Sequence, residues 1–239
     1  MKLIRIACWC GPRNVSTALM RSWSSRNDTF VSDEPLYAYY LKKTKKKHPM
    51  YQEIINQYSN DYDQITQYLT GLIPENKKIW YQKHMAHHLI ELKQIDWIQQ
   101  LENYILVRNP KEVIKSYTDK KKLKSAEELG YPQQVEIAKF LKKSNKAFRV
   151  IDSEDLLKNP TNVLSNWCKD INIPYQKSML KWDKGAHKND GIWWEHWYNN
   201  VVKTTGFQKY EKNDLTIDSQ YNSIYDESMN YYNFLKSLK

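Results

Sequence analysis

The sequence predicts a three-layer α/β/α fold built on a mostly parallel, doubly wound sheet. Three observations predict it. Short apolar runs with strand character alternate with amphipathic stretches along the chain. The first run, residues 3–9, is apolar on both faces, the pattern of a central strand covered on both sides. Apolar residues make up 41% of the chain, and only 6 Gly and 8 Pro occur. That composition excludes a disordered or low-complexity chain. The 239 residues suit one α/β domain, and the span 1–239 reads as one.

The elements follow in order. Gly11 and Pro12 end the first strand. Residues 16–26 place Leu19, Met20 and Trp23 at helical spacing, with Asn14 or Ser16 as N-cap. A second strand is expected at 29–32, followed by Asp33-Glu34-Pro35. Residues 36–72 are polar and Tyr-rich, helical in pieces. Strands are expected at 79–82, 103–107 and 147–151, and helices at 111–122, 136–146, 161–170 and 221–238. Residues from 178 onward are irregular and Trp-rich.

The formal charge of +10 favours anionic partners. A solubilising surplus of Lys explains it as well. The Lys runs 42–47 and 120–124 are not interleaved with stacking aromatics, so no nucleic-acid partner is expected. No apolar run reaches membrane length, and the first residues lack an adequate apolar core for a signal peptide. The three cysteines, Cys8, Cys10 and Cys168, form no Cys-x-x-Cys pair, and their odd count argues against a disulfide framework. A reducing cytoplasm fits best.

The segment Cys10-Gly11-Pro12-Arg13-Asn14-Val15-Ser16-Thr17 joins a buried strand to a helix. Free N–H groups at a helix N-terminus attract anions, and Arg13 adds a forked cationic donor. An ordinary strand-helix turn with a capping Ser is the alternative. A Walker A loop is excluded, because Ser16-Thr17-Ala18 stands where Gly-Lys-Ser/Thr is required. The glycines of a dinucleotide fingerprint are also missing.

This loop resembles the 5′-phosphosulfate loop of sulfotransferases, Pro-Lys/Arg-Ser-Gly-Thr/Ser-Thr. Arg13, Ser16 and Thr17 match; Asn14 and Val15 depart from the Ser and Gly. Ile105-Leu106-Val107-Arg108-Asn109-Pro110, with Ser116-Tyr117 further on, resembles the family's 3′-phosphate motif, Arg-x-Pro followed by Ser-Tyr. The segment 151–156 with Asn159-Pro160 is similar to a strand followed by Tyr-Glu-Asp-Leu and Pro, with Asp155 capping or bracing the next helix. Residues 188–193 resemble a late region that touches the cofactor.

The resemblance implies a P-loop-like fold and sulfuryl transfer from 3′-phosphoadenosine 5′-phosphosulfate (PAPS) to a small-molecule acceptor. 3′-Phosphoadenosine 5′-phosphate (PAP) is the product, and no metal takes part. It assigns Arg13, Asn14, Val15, Ser16 and Thr17 to the 5′-phosphosulfate, Arg108 and Ser116 to the 3′-phosphate, and Lys188 and Gly191 to the late cofactor contact. It puts a catalytic His at the third strand's end, which is His84, with His87 in reserve. Lys83 would steady charge on the leaving oxygen. His titrates near ~6.5 and can take a hydroxyl proton near neutrality. A structural or metal-binding role for these histidines stays open. Glu34 would meet the acceptor, unless Asp33 caps a helix with Pro35 in its first turn. Trp193, Trp194, Trp197 and Tyr198 either wall an acceptor pocket or fill the core. A kinase or a non-catalytic nucleotide binder on the same scaffold is the alternative function, and a homodimer is left open.

Overall fold

The computed structural model describes residues 3–211 and 215–239. Strand β1, Ile4–Cys10, lies at the centre of a five-stranded sheet. It pairs with β3, Ile79–Met85, on one side and with β4, Glu102–Val107, on the other. Outside these lie β2, Thr29–Asp33, and β5, Phe148–Asp152. The order is β2-β3-β1-β4-β5, and every pairing is parallel. The chain winds out from β1 to β2, back to β3, then crosses to β4 and β5. The direction reverses between β1 and β4, and such a switch point opens a crevice at the strands' C-terminal ends.

Alternation along β1 explains the layers. Ala7 and Trp9 face one core, with Trp80, Ile105 and Val107 beside them. That core is closed by α4 (Tyr62–Thr70), α5 (Pro110–Thr118), α6 (Tyr131–Lys143) and α10 (Asn222–Lys236). Ile6, Cys8 and Cys10 face the other core with Tyr81 and Leu106, under α1 (Ser16–Ser24) and α8 (Pro160–Asp170). The expected three layers are therefore present. All three cysteines are free and buried. Among the described residues no helix is long and apolar enough to cross a membrane.

The Tyr-rich stretch forms α2 (Tyr37–Thr44), α3 (Tyr51–Gln57) and α4. The Asp61 carboxylate caps α4 by accepting from the Gln64 N–H at 2.9 Å, and Arg5 clamps its far end through the Gly71 carbonyl. A short α7, Ser153–Lys158, is capped by Asp152, not Asp155, because the Asp152 carboxylate accepts from the Glu154 N–H at 2.9 Å. The Trp-rich region holds one helical turn, α9, Trp194–Trp197.

One boundary matters most. β3 runs three residues past the expected end, with Cys8, Trp9 and Cys10 in register with Lys83, His84 and Met85. Because a strand alternates faces, Lys83 and His84 point to opposite sides. His84 goes into the core with Trp9, which stacks on its ring at 4.3 Å, and its Nε2 lies 3.2 Å from Gln82 Oε1. It is 1% exposed, and burial pushes its imidazole down to about 3. His84, expected as a base at this strand end, therefore stands one residue before the end of β3 with its ring turned into the core.

Two outcomes follow for stability. A Cβ on Gly11 would stand 2.2 Å from the Leu129 carbonyl oxygen, a backbone atom that cannot step aside. Gly11→Ala should therefore lower stability by about 1–3 kcal/mol, read as a reduced urea midpoint at unchanged slope. His84 has a folded pKa depressed below its unfolded value, so the unfolded chain binds more protons as pH falls. Its contribution is present above about pH 6.5 and is lost on acidification toward its folded value of about 3. Urea midpoints should fall from pH 7 to pH 5, and less steeply in His84→Gln.

Candidate active site

A cleft of about 630 Å³ opens at the C-terminal ends of the strands. It is lined by the loop from Pro12 to Thr17, by Arg108 and Ser116, and by Glu34 and Lys83. The loop backbone turns left-handed twice, at Arg13 (φ 62°) and at Val15 (φ 51°). For a β-branched residue such a conformation costs on the order of 1–3 kcal/mol. Val15 occupies the N-cap position of α1 and offers no side-chain cap. The N–H groups of Ser16, Thr17 and Ala18 thus start the helix without intrahelical partners, which is a place for an anion.

Asn14 explains how the strained loop is held. It is 3% exposed. Its Nδ2 donates to the Leu106 carbonyl at 2.6 Å, and its Oδ1 accepts from the Ser153 hydroxyl at 2.6 Å. The side chain ties β1's exit to β4 and to α7. Its amide is thereby used inside the protein, although the residue lines the cleft.

Arg13, Arg108 and Ser116 meet. Arg13 Nε donates to Ser116 Oγ at 2.8 Å, and Arg108 Nη1 donates to the Arg13 carbonyl at 2.8 Å. Arg108 Nε is paired with Glu112 at 2.8 Å. Pro110 stands in the first turn of α5, as expected, with Asn109 as its cap. Among the described residues, both terminal nitrogens of Arg13 and one of Arg108 have no protein acceptor. Burial lowers the Arg13 pKa, and the neighbouring Arg108 lowers it further. Two neighbouring guanidiniums with unused donors make a favourable place for an anion.

Lys83 is 1% exposed and fully satisfied. Its ammonium donates to Asp33 Oδ1 at 2.9 Å, Glu34 Oε1 at 2.7 Å and the Tyr198 hydroxyl at 2.7 Å. Burial alone would push Lys83 down, but Asp33 and then Glu34 outweigh it and hold its pKa well above the usual value. Because all three donors are engaged, Lys83 positions Glu34 rather than reaching toward a leaving group. Burial raises the Glu34 pKa; Lys83 works against it and Asp33 adds to it. Asp33 caps no helix. α2 begins at Tyr37, and the second Asp33 oxygen accepts from the Tyr198 hydroxyl at 2.6 Å and the Gly191 N–H at 3.0 Å.

The late segment sits differently from its expected role. Lys188 is a surface residue 3.7 Å from Glu75, and Gly191 packs on the Trp193 ring; neither lines the cleft. The residues that do line it from this part of the chain include Trp197, Tyr198, Thr204, Lys209 and Tyr210. Of the four aromatics, Trp193 is core and Trp197 and Tyr198 are wall. His87 and His88 follow β3 and line the cleft; burial pushes His87 down to about 3 and His88 well below the usual value. The sequence signalled neither His48 nor Tyr37 nor Lys121 as cleft residues, because each arrives there through tertiary packing alone. Among the described residues no group of three or more His, Cys, Asp or Glu could hold a metal ion.

Known proteins share this architecture. The sulfotransferase domain of the Synechococcus PCC 7002 olefin synthase aligns with a TM-score of 0.56 at 12% identity, over 95% of each chain. The sulfotransferase from Alicyclobacillus acidocaldarius aligns with a TM-score of 0.57 at 9% identity, over 100% of this chain and 96% of that one. At such identities the likeness is one of fold. Branched-chain-amino-acid aminotransferase-like proteins 1 and 2 of Arabidopsis thaliana are 33% and 32% identical over 97% of this chain. The chain spans about two-fifths (41%) of the length of those relatives. A family model described as a sulfotransferase domain matches residues 4–239, and with the Arg13 loop and the Arg108–Ser116 motif meeting in one cleft, the chain belongs to the sulfotransferase family.

Proposed function

We propose that this sulfotransferase takes its sulfuryl group from PAPS and passes it, in line, to a hydroxyl of a small-molecule acceptor. The domain that does so is the single span 1–239. The observation that supports this most is the pair of under-used guanidiniums, Arg13 and Arg108, in one cleft with the Glu34 carboxylate. The donor carries two anionic groups, and the cleft offers two guanidiniums and free helix amides to receive them. Arg13 and the free amides of Ser16 and Thr17 suit the 5′-phosphosulfate. Arg108 and the Ser116 hydroxyl suit the 3′-phosphate.

Glu34 serves as the base, the place first expected of His84. Its carboxylate faces the cleft, while His84 faces the sheet core. Glu34 accepts the proton that the acceptor hydroxyl loses as its oxygen attacks sulfur. Arg13 and the α1 amides meet the charge that returns to the 5′-phosphate as its bond to sulfur breaks. Lys83 keeps Glu34 in place. His87 and His88, held neutral by burial, exclude water without adding charge.

Two measurements test this. A saturating level of PAP, at 100 times its Kd, should stabilise the protein by about 2.7 kcal/mol, a rise of roughly 5–10 °C in Tm. Arg108→Ala should remove most of that rise. A shift with ATP and Mg²⁺ but none with PAP would instead indicate a kinase. Glu34→Gln should lower turnover by about 10²–10⁴-fold while leaving the PAP shift intact. In the wild type, kcat/KM should fall as pH is lowered through the raised Glu34 pKa, since the base must be ionised. Loss of PAP binding in Glu34→Gln would count against the role given to Glu34.

A further inference from the structure

From Glu34 a row of cleft-lining rings leads away, each in contact with the next. His88 Nδ1 lies 3.9 Å from Glu34 Oε2, and its ring stacks on Tyr37 at 4.7 Å with an interplanar angle of 3°. The Tyr37 hydroxyl is 2.9 Å from His48 Nδ1. His48 packs edge-on to Trp197, with centroids 6.1 Å apart. The ammonium of Lys121 stands over the Trp197 ring at 4.3 Å. All of these residues line the same cleft.

Lys121 differs from the other cations there. Lys83, Arg108 and Lys115 each hold a carboxylate at 3.0 Å or less. Arg13 belongs with the donor end, and Lys120 and Lys209 are exposed. Lys121 is half-buried and, among the described residues, has neither a hydrogen bond nor an ion pair; its contacts are the faces of Tyr117 and Trp197. Burial lowers its pKa, with Glu128 supporting the charge from a distance and Lys46 opposing it. A half-buried ammonium without an anionic partner is costly, and a ring face repays about 0.5–2 kcal/mol of that cost. Two further polar atoms beside these rings lack partners. Nδ1 of His87 and Nδ1 of His88 are buried without a hydrogen-bond partner, and His88 is 2% exposed.

We propose that the acceptor carries an anionic group at the end remote from its hydroxyl, and that Lys121 receives it. This inference rests on the sulfotransferase reaction proposed above and names the acceptor class for it. The hydroxyl lies at Glu34. A flat body lies against Tyr37, His48 and Trp197. A carboxylate, or an anion of like geometry, lies at Lys121. With the histidines neutral, Lys121 is the cation that this row offers to such a group.

Binding of 4-hydroxyphenylacetate and of its methyl ester tests this, by calorimetry on the full chain without donor. The wild type should bind the carboxylate about tenfold or more tightly than the ester, as one charge-assisted contact provides. Lys121→Met keeps an apolar stem over Trp197; it should bring the two within about twofold while leaving the ester's affinity unchanged. Lys121→Arg should keep the preference. The PAP-induced rise in Tm, measured on all three proteins, should not differ among them. The proposal is overturned if the wild type shows no preference, if it binds neither compound at millimolar concentration, or if Lys121→Met retains the preference. It is equally overturned if Lys121→Met loses the PAP shift, which would place this cation at the donor end. Absence of a PAP shift in the wild type would defeat the donor assignment alone, because the carboxylate preference is read without it.

Discussion

The rest of the site depends on one buried charge cluster, in which Lys83 is gripped by Asp33, Glu34 and Tyr198. An ammonium in the body of a sheet is costly unless every donor is matched. Here all three are matched, at 2.7–2.9 Å. The cluster ties the end of β2, the last turns of β3 and the Trp-rich segment to one point. That segment is pinned again by the ion pair of the buried Arg21 with Asp190 at 2.6 Å. Such a network contributes more to placing groups than to net stability, since desolvation offsets much of the attraction. What it places is the Glu34 carboxylate, at a left-handed backbone position (φ 45°) lining the cleft.

The opposite end of the cleft is organised by a different cost. The loop after β1 holds two left-handed residues within a row of three, Arg13 and Val15, without glycine at either. Asn14 between them compensates by bonding to β4 and Ser153. The strain is thus held by buried hydrogen bonds, and the loop presents its amides in one fixed arrangement. Electrostatic stabilisation in catalysis relies on such fixed dipoles, because nothing need reorganise as charge develops. Arg13 and Arg108 are likewise held against mutual repulsion, one through Ser116 and the other through Glu112 and the Arg13 carbonyl.

Uncharged rings also line the cleft. Burial keeps the imidazoles of His87 and His88 neutral near physiological pH. A protein with a formal charge of +10 therefore presents a small, local set of unpaired cations inside its cleft. Most of the surplus charge lies on exposed Lys, as in the run that follows α2, and serves the surface.

The sequence by itself determined the three-layer α/β fold and the anion-loop half of the cleft. Both rest on local signals. Strand and helix periodicity is written in consecutive residues, and a strand followed by an anion loop and a helix places Arg13 with Ser16 and Thr17, and Arg108 with Ser116, at the ends of neighbouring strands. The half around Glu34 was decided by tertiary structure alone. Lys83 and His84 look alike as polar residues ending a strand, and pairing with β1 and β2 carries β3 past them, so that alternation sends Lys83 to Asp33 and Glu34 and His84 to Trp9. Lys188 and Gly191 matched a motif by spacing, yet the chain leaves the cleft there and returns at Trp197. Tyr37, His48, His88, Trp197 and Lys121 come from four separate stretches of chain, and no local pattern joins residues that meet only when the layers pack.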